Sequence, residues 1–384
     1  MRPPPLSLYV HLPWCVRKCP YCDFNSHTAG ADAPRQRYLD ALLVDLEQEA
    51  ARAAGRHIET VFLGGGTPSL FSPQEIARLL RGVNSLFQVA DAAEVTMEAN
   101  PGTVECGSPA GYQEAGITRL SIGVQSLNDA ALKRLGRIHN RDDAVRVARE
   151  CHAAAFDSFN IDLMHGLPGQ NVRQALDDVQ AVIELEPAHI SWYQLTLEPN
   201  TVFFARPPQD LPAEDTVYEI QEKGALLLAD AGYRQYEVSA FARDAQVCRH
   251  NVNYWLFGDY LAAGAGAHGK LTADNGIYRY RKAANPQQYM MAMEAGDGDV
   301  AMNPVAGGEI LFEFMLNSLR LSDGFDADLF VARTGLDVGR LEAAMGPACE
   351  KGLVARDAES RWRPTDLGRR FLNDLQASFL PHDA

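Results

Sequence analysis

Short apolar runs alternating with longer amphipathic ones limit what the first 200 or so residues can become. Residues 7–13, 58–63, 94–97, 117–124, 156–163 and 189–195 are rich in β-branched and aromatic side chains and bounded by Gly, Pro or Asn, as buried strands are. Residues 34–53, 72–86, 129–135, 141–155 and 172–185 lie between them with helical periodicity, and 213–231 closes the series. Ser72-Pro-Gln-Glu75 begins its helix with a Ser cap, a Pro in the first turn and an acid three residues on. Six β–α units in succession predict a parallel sheet with right-handed crossovers, either open and doubly wound or a partial barrel.

The polar residues decide between the two. The second run ends in Gly64-Gly-Gly-Thr-Pro68, the third in Glu98-Ala-Asn-Pro101 and the fourth in Gly123-Val-Gln125-Ser126. The fifth carries Asp162 and leads to His165-Gly-Leu-Pro168, and the sixth reaches Thr196 and Glu198. Groups that bind rather than pack, delivered from several strand ends onto one rim, mark the active face of a barrel. The expected fold is therefore α/β, a partial (β/α)6 TIM-like barrel.

The first run leads into Cys15-Val-Arg-Lys-Cys19-Pro-Tyr-Cys22 at that rim. Three thiols within eight residues can close on one metal centre, one ligand short of the four that hold a [4Fe–4S] cube. The fourth iron then stays open to a ligand from outside the protein. A zinc site completed by His11 or His27 is the rival, but structural zinc usually takes two separated C-x-x-C hooks and no second hook exists here. Glu98, closing an apolar run, suits an ammonium or a ribose. Gln125, Asp162 and Arg137 together offer an amide, an acid and a guanidinium to a nucleoside bearing a carboxylate.

With 384 residues the chain can bury a large core, and its net charge of −15 excludes non-specific attraction to nucleic acid or anionic lipid. No run approaches the roughly 20 apolar residues of a membrane span, so no transmembrane segment is expected. Met-Arg-Pro-Pro-Pro has no apolar signal core, which predicts a cytoplasmic protein. Seven cysteines, three already grouped, argue against a disulfide framework, leaving Cys106, Cys151 and Cys349 as lone thiols.

The C-x3-C-x2-C spacing resembles the radical S-adenosylmethionine (SAM) superfamily, in which SAM chelates the open iron. Tyr9-Val-His-Leu-Pro-Trp-Cys15, Gly64-Gly-Gly-Thr-Pro68, Glu98-Ala-Asn-Pro101, Ser121-Ile-Gly-Val-Gln-Ser126 and Asn160-Ile-Asp-Leu-Met-His-Gly-Leu-Pro168 further resemble the oxygen-independent coproporphyrinogen III oxidase family. That resemblance implies Tyr9, Gly65 and Glu98 on the SAM at the cluster, with Cys15, Cys19 and Cys22 as cluster ligands. It assigns Tyr21, Gly66, Thr67, Gln125, Arg137, Asp162 and Thr196 to a second SAM.

Departures from the oxidase pattern are equally informative. The oxidase carries a fourth cysteine two residues after the third, where this chain has Asp23-Phe24, and a long N-terminal extension, where strand one here is expected by about residue 7. Cys248-Arg-His250-Asn251-Val-Asn-Tyr254-Trp255 is a His-Asn-x-x-Tyr-Trp element. These features are similar to the haem chaperone branch of the family. They imply haem as a bound cofactor, with His250 as axial ligand, Cys248 as its rival, Asn251, Tyr254 and Trp255 around the porphyrin, and Arg249 on a propionate. The implied partner is a haem-accepting protein, a membrane-associated respiratory protein among the candidates, with radical oxidative decarboxylation of coproporphyrinogen III as the alternative function.

Residues 1–240 are read as the barrel, 241–302 as a connecting segment and 303–384 as a C-terminal domain. Residues 233–242 read as one strand and 260–270 as a Gly/Ala-rich strand and turn. Helical patterns at 308–317, 327–334 and 338–351, a hairpin at 353–363 and a helix at 366–379 resemble a small winged-helix-like appendage. Without a basic recognition helix it is not expected to bind DNA.

Overall fold

A computed structural model describes residues 3–30, 33–102, 107–156 and 158–381. Cys106 lies outside the described residues. Six parallel strands, β1 (Leu6–Leu12), β2 (Ile58–Gly65), β3 (Val89–Ala99), β4 (Arg119–Gln125), β5 (Ser158–His165) and β6 (His189–Gln194), pair in chain order. They form the expected partial barrel. β1 is buried at six of its seven positions, as a strand covered on both faces must be.

The crossovers are α1 (Arg35–Ala53), α2 (Pro73–Leu86), α3 (Pro109–Glu114), the pair α4 (Asp129–Arg134) and α5 (Arg141–Ala153), and α6 (Val172–Ile183). Ser72 closes a capping box with Glu75, and Asn140 with Asp143 and Asn171 with Gln174 do the same. Each box satisfies two amides at a helix start. α3 has no counterpart in the periodicity, because six residues are too few to show one. After β6 come the short α7 (Val202–Ala205) and then α8 (Glu214–Asp230).

The sheet continues past both barrel edges to twelve strands. The single strand expected at 233–242 is two, β7 (Arg234–Glu237) and β8 (Ala240–Ala242), turned back on each other beside β6. Residues 241–302 supply α9 (Arg249–Trp255), β9 (Asp259–Ala263), β10 (His268–Ala273), β11 (Gly276–Arg281) and α10 (Pro286–Glu294). β9 pairs in parallel with the free edge of β1, and β10, β11 and the two-residue β12 (Asn303–Pro304) follow in antiparallel order.

A fully buried charge cluster locks this extension to the barrel. Lys282 Nζ lies 2.5 Å from Asp45 Oδ1 and 2.8 Å from Glu49 Oε1 on α1, and Tyr289 donates to Asp45 at 2.7 Å. Removing one partner would strand a charge in the core, so α1 and the extension hold together or fail together.

The C-terminal part comprises α11 (Gly307–Ser318), α12 (Ala327–Thr334), α13 (Val338–Glu350), the hairpin of β13 (Val354–Arg356) and β14 (Trp362–Pro364), α14 (Asp366–Arg370) and α15 (Leu372–Ala377). Three helices and a hairpin match the winged-helix-like expectation. The last helix breaks at Phe371, whose backbone (φ −111°, ψ 41°) is not helical. Phe314, Phe325, Phe330 and Trp362 centre a second core, which Phe257 and Ile277 of the extension enter. Arg279 reaches Glu313 at 2.5 Å and Ser318 donates to the Trp255 carbonyl at 3.1 Å across the same seam. No helix among the described residues is long and apolar enough to cross a membrane.

Candidate functional site

The cysteine loop leaves β1 at the rim and is closed at its base by a two-residue parallel ladder, Trp14–Cys15 against His27–Thr28. The glycine turn after β2 is stitched to that base: Gly66 N donates to Leu12 O at 2.8 Å and Thr67 N to Trp14 O at 2.7 Å. A Cβ on Gly66 would sit 2.6 Å from Trp14 O, and one on Gly65 would meet the His11 ring at 2.3 Å from a backbone at φ +111°. Only glycine permits this contact between turn and loop.

Cys15, Cys19, Cys22, Tyr21, Gly65, Gly66, Thr67, Glu98, Gln125, Arg137, Asp162 and Thr196 line one cavity of about 360 Å³. Residues 181 positions apart thus meet because six strand ends share a rim. Burial pushes the Cys15 and Cys22 thiols above their ordinary range, so thiolates here need a compensating positive centre. Among the described residues no three His, Cys, Asp or Glu side chains form a group fit for one metal ion. The three cysteines line the cavity together, with no fourth cysteine among the described residues lining it to close a tetrahedral structural zinc site. That donor set fits a cluster better than zinc.

The polar groups that share the cavity with the thiols are buried. Glu98 accepts from Gly65 N at 3.0 Å, and burial together with the charge of Asp162 raises its carboxyl to about 7. Asp162 accepts from Asn160 at 2.7 Å and Ser121 at 3.3 Å, and burial raises it as well. Arg137 donates to Gly123 O at 2.6 Å and lies 3.6 Å from Cys19 Sγ, while its Nε has no partner. Gln125 accepts from Tyr193 OH at 2.7 Å and holds a left-handed backbone, φ +71°, where the β4–β5 register shifts. Strain of that kind costs on the order of 1–3 kcal/mol and collects at binding sites.

A second cleft, of about 570 Å³, adjoins the first. Asp23, Phe24, Gly65 and Glu98 line both. Tyr9 faces the second cleft rather than the cysteine cavity and hydrogen-bonds His11 Nδ1 at 3.0 Å. Tyr254, Trp255, Phe257 and Tyr260 give the cleft an aromatic wall, and His268, Lys270 and Arg279 complete it with others.

His250 and Asn251 line neither cavity. His250 is wholly buried, with Nδ1 2.8 Å from Thr60 Oγ1 and Nε2 2.9 Å from Tyr254 OH. Thr60 spends its own proton on Ser7 Oγ, so Nδ1 carries the imidazole proton and Nε2 accepts from Tyr254. Both nitrogens of His250, the expected axial ligand, are thus engaged in hydrogen bonds in this structure. Cys248 is also sealed, its thiol pushed up to about 12 by burial and 3.7 Å from Glu94. Arg249 donates to Ala92 O at 2.7 Å and lies 3.8 Å from Glu59. The element forms α9, whose first amides rest on Glu94 of β3 at 3.0 Å.

Sequence reasoning missed Asp23, Phe24 and His268 as cavity residues. The loop position of the first two was a usable signal; for His268 the signal was the Gly/Ala-rich strand and turn at 260–270, a composition that lets backbone lie close to a ligand. His189 is satisfied by Asn160 and Tyr236, and His165 packs on Trp192 at 4.7 Å. Cys151 is buried and Cys349 exposed, both remote from the rim.

A model of the Radical SAM superfamily matches residues 9–182, and one of the HemN C-terminal domain matches residues 307–371. The protein of Escherichia coli strain K12 named Heme chaperone HemW is 47% identical over 378 residues, covering 98% of each chain. Its namesake in Haemophilus influenzae is 46% identical over 99% of each chain. This chain belongs to the HemW family. The solved structure of coproporphyrinogen III oxidase (HemN) from Escherichia coli, described as a radical SAM enzyme, matches with a TM-score of 0.83 over 98% of this chain and 90% of that one. At 24% identity that match speaks for the family's fold and for nothing finer.

Proposed function

We propose that the chain binds haem and passes it to an acceptor protein, while Cys15, Cys19 and Cys22 hold a [4Fe–4S] cluster whose open iron takes SAM. The observation that carries this reading is the pair of adjoining cavities, one ringed by thiols and one walled by aromatic rings. The naming of relatives that match over nearly the whole chain as heme chaperones supports it. A cluster at the first cavity supplies electrons and an open iron site.

The residues divide the work. Gly65 and Glu98 face the SAM at the cluster, with Tyr9 behind them at the border of the two cavities. Arg137 pairs with a carboxylate and Asp162 with a ribose or an ammonium, and Tyr21, Gly66, Thr67, Gln125 and Thr196 complete a second SAM site. Tyr254 and Trp255 supply flat surface for a porphyrin. His250 positions Tyr254 by accepting a hydrogen bond from its hydroxyl, and Asn251 beside it on α9 completes the His-Asn-x-x-Tyr-Trp element. The acceptor is a haem-requiring protein, membrane-associated respiratory proteins included, met in the cytoplasm. The acidic chain makes nucleic acid an improbable partner.

The test is anaerobic reconstitution with iron and sulfide, then haem titration and assays of SAM cleavage and coproporphyrinogen III oxidation on one sample. The expected result is stoichiometric haem uptake with no protoporphyrinogen IX above background. Oxidation needs a propionate held at near-attack distance, and small misplacement costs orders of magnitude in rate. Turnover to protoporphyrinogen IX would move the chain to the oxidase reading, and failure to take up haem would end the chaperone reading.

A further inference from the structure

We propose that His268 is the protein's ligand to haem iron and that Arg281, opposite it on the next strand, meets a haem propionate. This rests on the haem-binding reading above. The cleft beside the cysteine cavity has two imidazoles in its lining, His11 and His268. His11 is buried and fully committed, with Nδ1 3.0 Å from Tyr9 OH and Nε2 2.8 Å from Asn25 O. His268 is exposed and has no hydrogen-bond partner among the described residues. It is therefore the one imidazole of the cleft whose nitrogens are free.

The surroundings suit that role. His268 opens β10 directly across from Arg281 on β11. Opposed residues in an antiparallel pair point to the same face with Cβ atoms about 4.5–5.5 Å apart. Arg281 is exposed and makes no ion pair among the described residues, whereas Arg279 is held by Glu313 and Lys270 by Asp259. One free imidazole beside one free guanidinium offers a metal ligand and a carboxylate partner at adjacent points. Partial burial and then the charges of Arg281 and Arg279 hold the imidazole below its ordinary pKa, in the neutral form that binds iron.

The turn before His268 is rigid. Gly264 N donates to Asp45 Oδ2 at 2.9 Å and Ala265 N to Tyr38 OH at 2.8 Å, and Asn25 Nδ2 donates to Ala265 O and Ala284 O at 2.9 Å each. A ligand on so constrained a turn is placed before haem arrives. The aromatic wall of Tyr254, Trp255 and Tyr260 lines the same cleft.

The experiment is ferric haem titration of the full chain, read by Soret position and electron paramagnetic resonance, for wild type, His268→Ala, Arg281→Gln and Tyr254→Phe. Wild type should show an imidazole-ligated spectrum. His268→Ala should lose it and bind at least about tenfold more weakly, since even outer-shell changes at metal sites cost 10–100-fold, and added imidazole should restore the spectrum. Arg281→Gln should keep the spectrum and weaken binding about two- to fivefold at low salt. A wild-type spectrum and affinity in His268→Ala, or a change of axial ligand in Tyr254→Phe but not in His268→Ala, overturns the proposal. Absence of haem binding by wild type is a different failure, visible before any substitution, and overturns the haem reading itself.

Discussion

The cysteine cavity and α9 both hold buried polar side chains, yet they treat them in opposite ways. Around α9 the bonds close on one another: Tyr254 to His250, His250 to Thr60, Thr60 to Ser7, and Asn253 to Ser7 and to the Asp259 carbonyl. Around the cavity bonds stay open: among the described residues Arg137 Nε has no partner, and Glu98 holds one backbone amide while burial and then the charge of Asp162 raise its carboxyl to about 7. An unmet buried polar group costs roughly 1–3 kcal/mol, so it persists where a ligand will meet it. A closed network is scaffold, whatever residues compose it. Type nominates a residue for binding, and bonding state decides whether it is available.

The sharpest way to break this contrast is to remove a thiol. Cys19→Ala should abolish the broad iron–sulfur absorption and most bound iron after reconstitution, while Cys349→Ala keeps both; full iron in Cys19→Ala would sink the cluster assignment. Next comes the scaffold side. His250→Ala should lower unfolding free energy by about 2–4 kcal/mol, because it opens a cavity and strands Thr60 and Tyr254. His268→Ala should stay within about 0.5 kcal/mol, as exposed substitutions do. Equal losses in urea denaturation of these two variants would erase the distinction.

On the open side, Arg137→Met should weaken SAM binding about 10–100-fold in calorimetry while lowering unfolding free energy by only about 1–2 kcal/mol, the share of its bond to Gly123 O. The smallest effect is in pH. Burial lowers His250 from an ordinary 6.5 to about 3, so on acidification the unfolded chain takes up this proton first. Its contribution to stability is intact above about pH 6.5 and declines from there toward pH 3, by up to about 1.4 kcal/mol per unit. His250→Gln should flatten the fall in urea midpoint between pH 7 and 5 by that one proton; an unchanged slope would mean His250 titrates normally.

Period and punctuation in the sequence located all six barrel strands within a few residues, because burial on both faces leaves little freedom in composition. The cavity residues were legible for a related reason: strand ends are marked by the Gly, Asn and Pro that follow them. Legibility failed where structure depends on distant pairing. No local pattern says that 259–263 lies against β1, or that 233–242 doubles back. His250 is the instructive case: the resemblance, not the residues alone, makes it a ligand, and Thr60, 190 positions away, bonds its ring in this structure. His268 escaped notice for the converse reason, as its importance lies in having no partner.

Within the segment from Cys22 to Asn25, Cys22 lines the first cavity, Asp23 and Phe24 line both, and Asn25 lines the second and clamps the turn that precedes His268. That segment makes the two sites thermodynamically conversant. If filling the first cavity orders Asp23 and Phe24, the second gains affinity by some factor, and linkage obliges the second, when filled, to tighten the first by the same factor.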